Sequence, residues 1–222
     1  MQSVCIDGNE VLYLSKEDVY IENKDVFYIS IYKNAELICE KLNIECPNIT
    51  TTNTIRRFDE KDNSLYMQAG ITYSPDEVPG LDKYFVIMST EIKSELLFLG
   101  DLAHELRHIW QNIYNPDINE QHAIGFADAL YHEAEIDADA FAIFYLSMVT
   151  KVNIETIASE YCKTEKELFP TAYEIRIQCA KEISREMNSV ESKPTSDTRK
   201  EEHSLKIIDW IKNMKKSTRL HY

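Results

Sequence analysis

The chain has 222 residues, a length that fits one large domain or one domain with an appendage. Hydrophobic residues make up 44% and charged residues 28%, an ordinary globular composition that allows a buried core. The formal net charge of −14 repels phosphate backbones and anionic lipid, which argues against nucleic acid and membrane surfaces as general partners.

The cysteine content indicates a reducing compartment. The 5 cysteines are widely spaced and form no CxxC pair, which does not suit a disulfide framework. The first residues show no basic segment followed by an apolar run, so no signal peptide is predicted. No apolar stretch approaches the ~20 residues that cross a bilayer. We therefore expect a cytoplasmic protein, and the sequence leaves its oligomeric state open.

Residues 1–90 favour strands with one helix. Asp7-Gly8-Asn9 lies between two short apolar runs, a pattern that predicts a hairpin. Asn34 is predicted to cap a short helix that runs to Leu42. Further strands are predicted at 25–32, 53–58, 64–73 and 83–89.

From residue 91 onward the pattern is helical. Leucine and isoleucine recur at three-to-four spacing over 91–114, the period of a buried helical stripe. Asn115-Pro116 is predicted to end this helix. A second long helix is predicted over 126–149, and further helix is predicted on both sides of a break at Pro170.

The first of these helices contains a metal-ligand pattern. In the segment AHELRH at 103–108, His104 and His108 have i,i+4 spacing, which places two imidazoles on one helix face within reach of one metal ion. Glu105 directly follows the first histidine, the position of the base in HExxH enzymes. The alternative is a solvated polar helix face, and the strong periodicity of the surrounding helix favours the metal site.

The second helix offers a third ligand, which a tetrahedral catalytic site needs. Glu135 and Asp139 are i,i+4 neighbours, and such carboxylates repel each other without a cation. We assign Glu135 to the metal, and Asp139 to accept a hydrogen bond from the non-ligating nitrogen of a ligand histidine. Asp139 is the rival third ligand, and Glu133 and His132 are weaker candidates.

Other side chains near these motifs have a structural interpretation. Tyr131 and Tyr145 could donate a hydrogen bond to a developing oxyanion, but core packing is favoured for each. Arg107 is predicted to form a surface ion pair with an acidic neighbour such as Asp101 or Asp128. The apolar run from Phe85 to Met88 could pair with an extended substrate if it were an edge strand, which the sequence leaves open.

The two motifs together resemble the zinc peptidases called gluzincins, in which HExxH is followed by a glutamate on the next helix. EIDADAFA at 135–142 is similar to the ExxADxFA signature of the CAAX-prenyl endopeptidase and heat-shock protease families. It is also similar to the ExEANxFA segment of the ImmA/IrrE-like metallopeptidases, which the lack of a predicted membrane span favours. The resemblance covers 90–146 and departs from the families at Arg107, commonly a small residue, and at Asp139, which is Asn in the ImmA/IrrE pattern.

By this resemblance, His104, His108 and Glu135 are ligands of a zinc ion (Zn²⁺), Glu105 is the general base and Asp139 is a supporting residue. The implied activity is zinc-dependent hydrolysis of peptide bonds in a polypeptide substrate. The alternative function is a catalytically silent zinc-binding module that binds a partner. A metal-free helical protein with a chance motif is the third hypothesis.

The resemblance also implies the architecture. We expect an α+β, zincin-like fold with an N-terminal twisted sheet and a backing helix, followed by a helical half with the active-site helix and the third-ligand helix. The metallopeptidase domain is predicted over 1–187. A polar linker is predicted over 188–201, and a helix over 202–222 that packs its apolar side onto the domain.

Overall fold

The fold mixes α-helices and β-strands, as the sequence predicts. The structure is a computed structural model and describes the ranges 2–6, 9–13, 20–23, 27–59, 64–91, 94–119 and 130–191. The chain divides into two compact units, Met1–Trp110 and Gln111–Tyr222. In the part of the chain that the structure describes, no helix has both the length and the apolar character needed to cross a membrane.

The strands of the first unit form several small sheets. The strands are β1 (Gln2–Ile6), β2 (Asn9–Tyr13), β3 (Tyr20–Asn23), β4 (Phe27–Ser30), β5 (Asn48–Thr52), β6 (Ile55–Asp59), β7 (Ser64–Gln68), β8 (Gly70–Tyr73) and β9 (Phe85–Ser89). Antiparallel pairs join β1 to β2, β3 to β4 and β6 to β7. Ile6 lies opposite Asn9 in the first pair, which confirms the predicted N-terminal hairpin.

A three-stranded sheet has the order β5-β9-β8. β9 confirms the strand predicted at 83–89, and it pairs in parallel with β5 and antiparallel with β8. Phe85, Val86 and Met88 are all fully buried, because a central strand is covered on both faces. Among the residues that the structure describes, β9 is therefore the central strand of this sheet and β8 lies at its edge, which answers the question left open by the sequence.

Helix α1 (Ile31–Leu42) follows β4 directly, so the strand predicted over 25–32 ends at Ser30. The predicted cap at Asn34 is wrong, because Asn34 lies inside the helix. The reason is burial: the apolar stripe of the helix already begins at Ile31 and Tyr32, which are both buried. The Tyr32 hydroxyl accepts a hydrogen bond from the backbone N–H of Ile49 at 2.9 Å, which holds α1 against β5.

Helix α2 (Glu95–Tyr114) confirms the helix predicted over 91–114, with a later start. The hydroxyl of Ser94 accepts a hydrogen bond from the backbone N–H of Leu97 at 3.2 Å, as an N-terminal cap does. The helix ends at Tyr114, as the Asn115-Pro116 pair predicts, and a 3₁₀ turn (Pro116–Asn119) follows it. The boundary between the two units falls within α2.

The second unit is built from helices α3 (Glu133–Thr150), α4 (Ile154–Tyr161), α5 (Lys163–Leu168) and α6 (Pro170–Glu191). Ala138, Ile143 and Leu146 in α3 are fully buried, as expected for a helix covered on most sides. The break predicted at Pro170 is confirmed, since proline is favoured at the first position of a helix.

Helix boundaries in the second unit differ from the predictions at two places. The predicted start at 126 is wrong for the described residues 130–132, which precede α3. Helix α6 extends through 188–191, the first residues of the predicted linker. The rest of that linker and the predicted helix over 202–222 lie outside the described residues, and the domain limits 1–187 stay a prediction.

Candidate metal centre

The two histidines of the HExxH segment face each other along α2. Their Nε2 atoms are 3.0 Å apart, and the ring planes meet edge to face at 84°. A hydrogen bond at this distance needs a proton on one of the two nitrogens, whereas a shared metal ion needs both nitrogens to be free of protons. Two nitrogens bound tetrahedrally at ~2.0–2.1 Å would be about 3.4 Å apart, close to the observed separation.

The carboxylate of Glu135 belongs to the first turn of α3. The helix is capped by His132, whose Nδ1 accepts a hydrogen bond from the backbone N–H of Ala134 at 3.3 Å. The helix predicted over 126–149 includes His132, but the backbone of His132 is extended, with φ −71° and ψ 135°. The helix dipole stabilises a negatively charged side chain in the first turn of a helix, the position that Glu135 occupies in α3.

His104, His108 and Glu135 form a cluster that could hold a metal ion. One ring nitrogen of each histidine and one carboxylate oxygen all lie within 4.8 Å of one another. Two imidazoles and a carboxylate are a donor set of catalytic zinc sites, which keep one position for water or substrate. Rotation of the side chains would shorten the longest distance between two donor atoms to the ~3.4 Å that separates the donors in a tetrahedral site. The cluster contains Glu135 and neither Asp139 nor Glu133.

Glu105, the predicted general base, is only 8% exposed. The hydroxyl of Thr72 in β8 lies 2.8 Å from Oε2 of Glu105 and 3.1 Å from the backbone carbonyl oxygen of the same residue. Gly70, two residues earlier in β8, lies directly against the same side chain. Neither β8 residue could be predicted from the sequence, because nothing in a short strand indicates which helix residue it will contact.

Asp139 accepts a hydrogen bond from the buried Arg176 of α6. The distance from Nε to Oδ2 is 2.6 Å, and Nη1 of Arg176 donates to the carbonyl oxygens of Leu130 at 2.9 Å and Ala172 at 3.2 Å. Burial is the largest single effect on the pKa of Arg176 and acts to lower it, but the charge of Asp139, the hydrogen bond to Asp139 and further nearby charges together outweigh burial, so the pKa is raised. The predicted support of a ligand histidine by Asp139 stays a prediction.

The second unit contains a buried polar pair that was not predicted from the sequence. Nε2 of Gln111 donates to Oδ2 of Asp137 and to the carbonyl oxygen of Ala134, both at 2.8 Å. Gln111 and Asp137 are fully buried. Asp137 shares one helix face with the apolar residues Ala134, Ala140 and Phe141, and this position is the signal for such a partner, since buried carboxylates need donors. The pair fixes the rotation of α3, and with it the direction of its first turn.

Three further side chains had structural predictions. Tyr145 is buried beside Phe141, which confirms core packing, and burial raises its pKa. Tyr131 is 41% exposed, so core packing is wrong for it. The surface location predicted for Arg107 is wrong, because the side chain is buried with its guanidinium 3.6 Å from the centroid of the Trp110 ring. In this cation–π contact, the electron-rich face of the Trp110 ring attracts the positive charge of the guanidinium.

The chain has no match among known proteins that would bear on the site. No family model matches the chain, and neither a curated protein nor a solved structure matches it significantly. The resemblance to gluzincins therefore depends on the HExxH segment and on EIDADAFA at 135–142, and the donor cluster is the structural observation that bears on it.

Proposed function

We propose that this protein is a zinc-dependent metallopeptidase of the gluzincin class, closest to the ImmA/IrrE-like metallopeptidases, with a zincin-like fold. The observation that carries the proposal is the cluster of His104, His108 and Glu135. Glu105 adds to it, because a carboxylate next in sequence to a ligand histidine suits a general base. The cytoplasm is the compartment that the cysteine pattern favours.

Each residue has one role in the proposed reaction. His104, His108 and Glu135 hold the ion, which supplies Lewis acidity for polarising the scissile carbonyl and acidifying water. Glu105 takes the proton from the attacking water and returns it to the leaving amine. The low exposure of Glu105 suits this task, since a carboxylate shielded from bulk solvent exchanges its proton with the reacting groups rather than with the medium.

The position of β8 supports a polypeptide as the substrate. β8 is an edge strand, and its Gly70 and Thr72 contact Glu105. An extended peptide can add to a sheet edge through backbone hydrogen bonds, largely irrespective of its side chains. A peptide bound in this way would run close to the general base. We therefore infer that the substrate is an extended or unfolded segment of a protein.

The test is hydrolysis of a denatured protein by the purified chain, with zinc measured on the same samples. We expect one zinc per chain, and we expect hydrolysis to fall by at least ~10²-fold in Glu105→Gln while zinc is retained, because only the proton carrier is removed. Glu133→Gln is the matched control, since it neutralises a carboxylate outside the cluster. It should retain both zinc and activity.

The other outcomes separate the rival functions. Stoichiometric zinc without hydrolysis by the unmodified chain would favour a silent zinc-binding module, and the peptidase proposal would be withdrawn. Purified protein without zinc that also fails to bind added zinc would reduce the HExxH match to a chance pattern. Equal hydrolysis by Glu105→Gln and the unmodified chain would exclude Glu105 as the base.

A further inference from the structure

We propose that Gly70 and Thr72 of β8 are positioning residues that set the place of the Glu105 carboxylate. This inference rests on the proposed function, in which Glu105 is the general base. It assigns a role to the strand β8, to which neither motif in the sequence draws attention.

Thr72 holds the carboxylate by a hydrogen bond. Its hydroxyl oxygen lies 2.8 Å from Oε2 of Glu105 and 3.1 Å from the backbone carbonyl oxygen of the same residue. A hydroxyl has a single proton, and the shorter distance and the negative charge favour donation to the carboxylate. The glutamate side chain has several rotatable covalent bonds, and its place in the helix fixes only the backbone. A hydrogen bond to the carboxylate therefore removes most of the remaining rotational freedom of the side chain.

Gly70 shapes the space that the carboxylate occupies. A Cβ atom at this position would lie 2.5 Å from Cγ of Glu105, 2.8 Å from Cδ and 2.8 Å from Oε1. These separations are far below van der Waals contact, so any residue with a side chain would force Glu105 to move. The atoms that would clash belong to the glutamate side chain itself, so displacement of the carboxylate is the way to relieve the overlap.

The two residues act from one face of a rigid strand. Gly70 and Thr72 are two positions apart, and alternate residues of a strand face the same side of the sheet. β8 is held by its antiparallel ladder to β9, with Gly70 opposite Met88 and Thr72 opposite Val86. Met88 and Val86 are fully buried, which anchors the ladder. The sheet therefore supplies a fixed reference for the carboxylate that the helix alone does not provide.

The first experiment removes the hydroxyl with little change in shape, by Thr72→Val. Hydrogen bonds to charged groups contribute enough that we expect kcat to fall about 10- to 100-fold, with KM and zinc content unchanged. Thr72→Ser keeps the hydroxyl and should recover most of the rate. Thr51→Val in β5 of the same sheet is the matched control and should keep full activity. Equal kcat values for Thr72→Val and the unmodified chain would overturn the role of Thr72.

The second experiment tests Gly70. Gly70→Ala should fold, because movement of the Glu105 side chain relieves the clash. Its kcat should fall by at least about 10²-fold, since displacement of a catalytic group by ~1 Å costs that much. Zinc content should be unchanged. A Gly70→Ala protein with the activity of the unmodified chain would overturn the role of Gly70.

A third measurement needs no activity and no metal. Urea unfolding of chelator-treated protein is compared for Thr72→Val, Glu105→Ala and the double variant. If the two side chains contact each other, the midpoint shifts are not additive. Additive shifts would overturn the contact. If the unmodified chain hydrolyses nothing but the shifts are non-additive, the proposed function fails while the placement of Glu105 by β8 stands.

Discussion

Replacing Arg176 by methionine tests how the second unit holds α3, the helix that carries Glu135. Methionine fills much of the same volume but makes none of the three hydrogen bonds that the guanidinium donates to Asp139 and to the carbonyl oxygens of Leu130 and Ala172. Arg176 is 2% exposed, so its side chain occupies a site that bulk water does not reach.

The expected magnitude follows from what the substitution leaves behind. Breaking a buried ion pair by removing one partner costs about 3–5 kcal/mol, because the other charge stays buried. The Asp139 side chain is 17% exposed, so partial hydration reduces the cost toward the lower end. We expect a loss of about 3–4 kcal/mol in the free energy of unfolding. For a chain of this length, about 2–4 °C per kcal/mol corresponds to a fall in Tm of about 6–16 °C.

The assay is thermal and urea unfolding of the metal-free protein, because bound metal would add its own stabilisation. Arg185→Met is the control: Arg185 is 65% exposed and pairs with Glu182 one turn away, so its loss should cost less than about 1 kcal/mol. The pKa of Arg176 is raised, so the charged guanidinium contributes fully at neutral pH, and this contribution is lost as the pH rises through the raised pKa. Equal losses for the two variants would refute the reasoning.

Further predictions concern the second unit. Gln111→Leu leaves the buried carboxylate of Asp137 without this donor and should cost about 1–3 kcal/mol in urea unfolding, whereas no change would show that the bond is absent. Lys181→Met should lower the free energy of unfolding by less than about 1 kcal/mol, because the Lys181–Glu155 pair is exposed. The hydrogen bond from Lys181 lowers the pKa of Glu155, so the pair stabilises the fold above the ordinary glutamate pKa and ceases to do so as the pH falls through the lowered pKa. A difference in stability between Lys181→Met and the unmodified chain that persists at low pH would contradict this. Burial raises the pKa of the Cys179 thiol, so mass spectrometry should find it alkylated only after unfolding; rapid alkylation in the folded protein would refute this.

Local periodicity explains why much of the candidate site could be predicted. The i,i+4 relation of His104 and His108 is a property of any helix, and the apolar stripe of α2 was visible in the sequence. The cluster of side chains that could hold a metal ion contains Glu135, which the spacing and the charge pattern favour as the third ligand. In each case the information lies within one helix or in the chemistry of one residue type.

Contacts over long sequence separations could not be predicted. β5 has a single buried isoleucine among polar residues, and it forms a strand because it pairs with β9, far along the chain. Thr72 contacts Glu105 across a separation of 33 residues, and Arg176 contacts Asp139 across 37. Periodicity within one element does not reveal which distant side chain will meet it.

The start of α3 shows the same limit on a smaller scale. Leu130, Tyr131 and His132 suit a helix by composition, and the prediction therefore continued through them. In the structure the carbonyl oxygen of Leu130 accepts a hydrogen bond from Arg176, and His132 caps the helix. A cap of this kind satisfies a backbone N–H that has no partner within the helix. The local cap at His132 and the tertiary hydrogen bond to Leu130 together determine where the helix begins.

The most direct test of the metal centre is zinc analysis of the purified protein after dialysis, for the unmodified chain and for His108→Ala, Glu135→Gln and Glu133→Gln. The cluster geometry predicts one zinc per chain in the unmodified and Glu133→Gln proteins. It predicts loss of zinc in His108→Ala and weakened binding in Glu135→Gln, because each removes one donor. Zinc bound equally by all four proteins, or by none of them, would contradict a metal site formed by these three side chains.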